Sequence, residues 1–93
     1  MKPDVTHDAA MRRFEAVVEG ARCTLDYELA GTTMTITHTH VPEPVEGRGI
    51  AAALMEAALT HARESGWRVV PKCSYAVAYL GRHREWADIV LGA

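Results

Sequence analysis

Between residues 21 and 66 the hydrophobic pattern changes period once, and that change limits what the chain can fold into. Ala21, Cys23, Leu25, Tyr27 and Leu29 alternate with Arg22, Thr24, Asp26 and Glu28. After the turn Ala30-Gly31-Thr32 the alternation resumes, with Met34, Ile36, His38 and His40 against Thr33, Thr35, Thr37 and Thr39. A period of two describes strands with one buried face. From Ile50 the apolar positions fall instead at Ile50, Ala53, Leu54, Ala57, Ala58 and His61/Ala62, the stripe of an amphipathic helix. Gly66 is placed to end that helix. A loop punctuated by Pro42 and Pro44 and by Gly47 and Gly49 separates the two regimes.

The rest of the chain extends this pattern. Arg12 to Glu19 is a strand candidate with Phe14, Ala16 and Val18 on one face, and Glu19-Gly20 is a turn. Three strands joined by short turns predict an antiparallel meander. Trp67 to Val70 reads as a further short strand, and a helical crossover between two strands of one sheet makes them parallel. A short helix from Ser74 to Leu80, stopped by Gly81, follows Pro71. Arg82 to Val90 then reads as a turn and a last helix that docks Trp86, Ile89 and Val90. The expected class is α+β with a mixed sheet. Residues 1–10, polar and containing Pro3, form a loose arm, and residues 11–93 form a single domain.

Composition excludes several classes. Ninety-three residues, 48% hydrophobic, support one small core. A net charge of −2 with dispersed Lys and Arg leaves no broad footprint for nucleic acid. No apolar run approaches the roughly 20 residues that span a bilayer. The start MKPDVTHDAAMRRF lacks the apolar core of a secretory leader, so a cytoplasmic protein without membrane partners is expected.

Three places hold side chains with chemistry. Gly47 and Gly49 let the backbone approach a ligand, and the helix beginning behind them offers unpaired N–H groups at its positive end. That is a cradle for a phosphate or pyrophosphate, or simply a tight turn. His38 and His40 share the predicted face of Met34 and Ile36 and run into this loop, either as core histidines or as functional ones. Cys73 follows a strand, has Lys72 beside it and stands at a helix start, where a thiol ionises more readily. It is a nucleophile or an inert packing residue. Cys23, on a buried strand face, reads as core. Parallel neighbouring strands would bring Cys73 to the same sheet edge as His38 and His40. A zinc site of those three residues would lack an evident fourth ligand.

Taken together, several runs resemble one family. They are His38-Thr39-x-Val41-Pro42, Glu46-Gly47-Arg48-Gly49-Ile50-Ala51, Val69-Val70-Pro71-x-Cys73-x-Tyr75 and Arg82-His83-x-Glu85-Trp86. Over residues 12–91 they are similar to the small single-domain GNAT-type acetyltransferases. The resemblance implies acetyl-CoA as co-substrate and an amine as acceptor. It places Glu46, Gly47, Arg48, Gly49, Ile50 and Ala51 on the pyrophosphate loop and Val41 on the strand that pairs with pantetheine. It further implies Cys73 near the acetyl thioester with His38 beside it, His38 or His40 as base, and Tyr79 as the acid that protonates the departing CoA thiolate.

Two departures from the family pattern stand out. Pro44 occupies the position where larger members carry Arg or Gln before the first glycine, leaving Arg48 to supply charge. His40 stands where members often have an acidic residue. The chain is also shorter than a full domain of this type, so the wall that binds the acceptor is missing or supplied by a partner. Direct transfer, a ping-pong route through acetyl-Cys73, and a CoA-binding module without turnover all fit these residues.

Overall fold

The alternating stretches become strands and the helical stretch a helix, arranged around one five-stranded mixed sheet. The computed structural model describes residues 3–91. Strand β1 is Thr6–Asp8, β2 Arg13–Val18, β3 Ala21–Ala30 and β4 Thr33–His40. A 3-10 turn at Glu43–Val45 leads to helix α1, Ile50–Ser65, then β5, Arg68–Pro71. Helix α2, Ser74–Arg82, and a 3-10 helix, Arg84–Ile89, complete the described chain. Spatial order equals sequence order. The first four strands are antiparallel, and β5 lies parallel to β4 after the α1 crossover.

Phe14, Ala16, Cys23, Leu25, Tyr27, Met34, Ile36 and Val69 bury one sheet face against Leu54, Met55, Ala58, Leu59 and Ala62 of α1. The same core takes in Ala76, Tyr79, Leu80, Trp86 and Ile89 from the C-terminal segments. The alternate residues of β2 and β3, Arg13, Glu15, Arg22, Thr24, Asp26 and Glu28, are half-buried or exposed. Arg13 reaches Asp26 at 2.7 Å and Arg22 reaches Glu15 at 3.3 Å across them.

Four expectations change. The arm does not run to residue 10, because Thr6–Asp8 pairs with β2 as an edge strand. What holds so short a strand is His7, whose ring stacks on Phe14 at 4.1 Å and whose Nε2 lies 2.6 Å from the Tyr27 hydroxyl. The buried stripe of α1 is rotated: Met55 and Leu59 are wholly buried, whereas Ala53, Ala57 and His61 are half-buried. Larger side chains remove more apolar area from water, so they take the inner position. Gly81 does not stop α2, which runs on to Arg82 and ends at His83, where the chain leaves helical geometry. Val90 lies beyond the last helical turn and forms a bridge beside Val69.

One irregularity matters more than the rest. Tyr27 pairs with Ile36, but the next residue back, Asp26, pairs with His38. Thr37 is therefore an extra residue on β4, a β-bulge, and its hydroxyl donates to the Asp26 carbonyl at 3.3 Å. Because side chains alternate with a period of two, one inserted residue exchanges the faces of everything beyond it. Past the bulge Thr39 pairs with buried Leu25, while His38 and His40 are exposed.

Candidate active site

β4 and β5 are paired only from Thr33↔Arg68 to Ile36↔Pro71. The Ile36 carbonyl then accepts from both Lys72 N–H, at 3.0 Å, and Cys73 N–H, at 3.2 Å. That double acceptance closes the ladder and turns the chain into α2. Beyond it the rest of β4, Thr37 to His40, has no strand partner on that side among the described residues. Two adjoining hollows lie there, of about 220 and 290 Å³. Val41, Glu46, Ala51 and Tyr75 line both. Gly47, Gly49, Ile50 and Ala52 complete the first hollow, and Thr39 and His40 the second.

The loop ahead of α1 is shaped to leave donors open. Val45 is buried and anchors the 3-10 turn. Gly47 and Gly49 then adopt φ of 80° and 75°, left-handed values that suit glycine. Gly49 is the residue before the helix and supplies no side chain to cap it. The first helical bond runs from Ala53 N–H to the Gly49 carbonyl. The N–H groups of Ile50, Ala51 and Ala52 therefore have no partner within the helix, and they stand at its positive end beside the hollow. A Cβ built on either glycine meets nothing within 4 Å, so the approach to these donors is open. The backbone fits a pyrophosphate.

The side chains around it are less accommodating. Arg48 donates to the Glu19 carboxylate on the β2–β3 turn and lines a different, outer hollow with Val17 and Val18. This pairing holds the Glu19 carboxyl below its ordinary range. Arg48, expected at the phosphate, is here ion-paired with Glu19, and Glu46 brings negative charge to the start of α1.

Cys73 is half-buried, caps α2 and accepts from Ala76 N–H at 3.4 Å. Its other partner is Thr39, with Oγ1 3.6 Å from Sγ. The expected pairing of Cys73 with His38 or His40 does not form, because the bulge at Thr37 turns both histidines away and brings the threonine in. His40 stays on the rim of the second hollow, while His38 faces out beside Asp26. Among the described residues no group of three or more His, Cys, Asp and Glu side chains is placed to hold a metal ion.

Tyr79 is buried, and its ring stacks on His83 at 4.0 Å rather than lining either hollow. Burial raises its phenol above the usual range, and Glu56, Tyr75 and Glu85 push the same way. Tyr75 is the phenol that borders both hollows. Burial raises it too, with Arg82 opposing and Cys73 adding to the rise, so it stays a proton donor at neutral pH. The motif had contained Tyr75 and Thr39 without giving either a role. Only the turn of α2 and the bulge of β4 identify them.

The family follows from this geometry and from comparison. Residues 13–89 match the family model described as GCN5-related N-acetyl-transferase. Protein NATD1 of Xenopus tropicalis is 35% identical over 79 residues, spanning 82% of this chain and 72% of that protein. Protein NATD1 of Homo sapiens is likewise 35% identical over 79 residues, with 82% and 70% covered. The chain belongs to the GCN5-related N-acetyltransferase family. An NMR solution structure of a GCN5-like candidate N-acetyltransferase from Staphylococcus aureus superposes with a TM-score of 0.78. That match covers 99% of this chain and 91% of the other at 23% identity, which speaks for the fold.

Proposed function

We propose that this protein transfers the acetyl group of acetyl-CoA to an amine and that Cys73 carries the group between them. The observation that carries this reading is the parting of β4 from β5 directly beside the uncapped start of α1. The N–H groups of Ile50, Ala51 and Ala52 hold the pyrophosphate, and Gly47 and Gly49 leave the approach clear. Val41, directly after β4, offers its backbone to pantetheine. Acetyl-CoA would supply an activated thioester, and the residues at the parting supply the rest.

In the first half-reaction the Cys73 sulfur bonds to the acetyl carbon, the bond from that carbon to the CoA sulfur breaks, and the proton lost by Cys73 ends on CoA. Tyr75 is better placed than Tyr79 to deliver it, since its phenol borders both hollows and stays protonated. In the second half His40, on the rim, takes the ammonium proton, the free amine nitrogen bonds to the acetyl carbon as its bond to the Cys73 sulfur breaks, and the proton then lost by that nitrogen returns to Cys73.

A CoA-binding module without turnover is the second reading. It is favoured by the uncovered alternate face of β2 and β3, whose residues are half-buried or exposed and on which no other element packs among the described residues. The test incubates the protein with acetyl-CoA and reads intact mass, then adds a panel of amines. Acetyl transfer predicts an acetyl group on Cys73 that a competent amine removes. An amine acetylated with no group ever on Cys73 means direct transfer; binding with neither product, or an acetyl group that is never released, belongs to the second reading.

A further inference from the structure

The partner of Cys73 is set by a backbone irregularity, and this has a chemical consequence. Sγ has two hydrogen-bond neighbours, the Ala76 N–H at 3.4 Å and the Thr39 hydroxyl at 3.6 Å. The first is fixed by the helix start. The second is a β-branched side chain with a stiff χ1, held on a strand by pairing with Leu25. With Cys73 as the thiol, either group can donate to the other across this contact. With Cys73 as the thiolate, the Thr39 O–H and the Ala76 N–H both donate to sulfur, from two directions. Cys73 itself is half-buried at the edge of the core, next to Thr39 on the wall of the second hollow.

We propose that Thr39 is the positioning residue for the Cys73 sulfur, and that the bulge at Thr37 is what delivers its hydroxyl there. Without the extra residue, the period of two would put Thr39 on the exposed face and a histidine on the inner one. This rests on the reading of Cys73 as acetyl carrier. In that step the Cys73 sulfur replaces the CoA sulfur on the acetyl carbon, CoA leaves as its thiol, and Thr39 is neither consumed nor charged. Its hydroxyl holds the nucleophile before attack and supports it as the thiolate, the reactive form.

The test needs no acetyl-CoA. Alkylation of Cys73 by iodoacetamide is followed by mass spectrometry at one fixed pH in wild type, Thr39→Val and Thr39→Ser. Val keeps the shape and removes the hydroxyl, whereas Ser keeps the hydroxyl and removes the methyl. The expected result is alkylation about fivefold slower in Thr39→Val, the worth of one ordinary hydrogen bond, and near the wild-type rate in Thr39→Ser. Equal rates in all three proteins overturn the proposal. So does equal slowing in both variants, which would make Thr39 a packing residue. Should Thr39→Val fail to fold, Thr39→Ala against Thr39→Ser makes the same comparison. A cysteine whose alkylation depends on the hydroxyl, but which takes no acetyl group from acetyl-CoA, supports the Thr39 assignment and removes only the carrier role.

Discussion

Arg48 sits in the middle of the glycine loop, yet its guanidinium is bonded to Glu19 on a neighbouring turn. The open donors at the start of α1 are therefore backbone N–H groups, with Glu46 as the adjacent charge. Replacing Arg48 with Ala is expected to change CoA affinity by no more than about threefold, since an exposed ion pair contributes little. Glu46→Gln should tighten CoA binding by removing a like charge, more visibly at low salt. Calorimetric titration at two salt concentrations measures both. A tenfold loss in Arg48→Ala would mean that the arginine leaves Glu19 to serve the ligand.

Gly49 tests the backbone itself. It adopts φ 75° and ψ 15°, and a side chain in that region costs about 1–2 kcal/mol. Gly49→Ala should lower stability by about that amount in urea unfolding. It should also weaken CoA binding by about tenfold or more, because the new methyl stands on the wall of the first hollow. A variant that loses stability but keeps its CoA affinity would separate the turn from the ligand.

His7 gives the fold a pH dependence. Burial lowers its pKa below 6.5, with nearby His61 lowering it further and Asp8 opposing. A histidine depressed in the folded state favours the neutral form there. Its contribution is complete above the unfolded value of about 6.5 and is lost as pH falls through the folded one. The thermal midpoint should thus fall between about pH 7 and pH 5. His7→Phe, which keeps the stack on Phe14 and cannot take up the proton, should flatten that fall. An unchanged slope would place the acid sensitivity elsewhere.

The rotated face of α1 is open to a direct comparison. Met55 is wholly buried, so Met55→Ala should cost about 2–5 kcal/mol. Ala53, half-buried on the wall of a cleft that Glu56 and Thr60 also line, should tolerate Ser within about 0.5 kcal/mol. Denaturant midpoints for the two variants check the difference.

What could be read from the sequence was local and periodic. The alternation of β3, the first half of β4, the helix after Gly49 and the parallel return of β5 all follow from spacing. So do the open first N–H groups of α1, because Gly49 ahead of it carries no side chain to cap them. The bulge at Thr37 has no such signature. Thr33-Met34-Thr35-Ile36-Thr37-His38-Thr39-His40 alternates without a break, and only pairing with Asp26 and Tyr27 inserts the extra residue. Unbroken alternation therefore points Cys73 to histidines instead of a threonine. Strand β1 was missed for a related reason: its anchor, His7 against Phe14 and Tyr27, joins residues far apart in the chain. The ion pair that takes Arg48 away from the cradle is non-local in the same way.

Amide chemical-shift mapping of the labelled protein during titration with CoA decides whether the open start of α1 is where CoA binds. The largest changes are expected at Gly47, Gly49, Ile50, Ala51 and Ala52, with a second group at Thr39, Val41 and Tyr75. Changes centred instead on the cleft between Phe14 and His61, or no changes at saturating CoA, would contradict it.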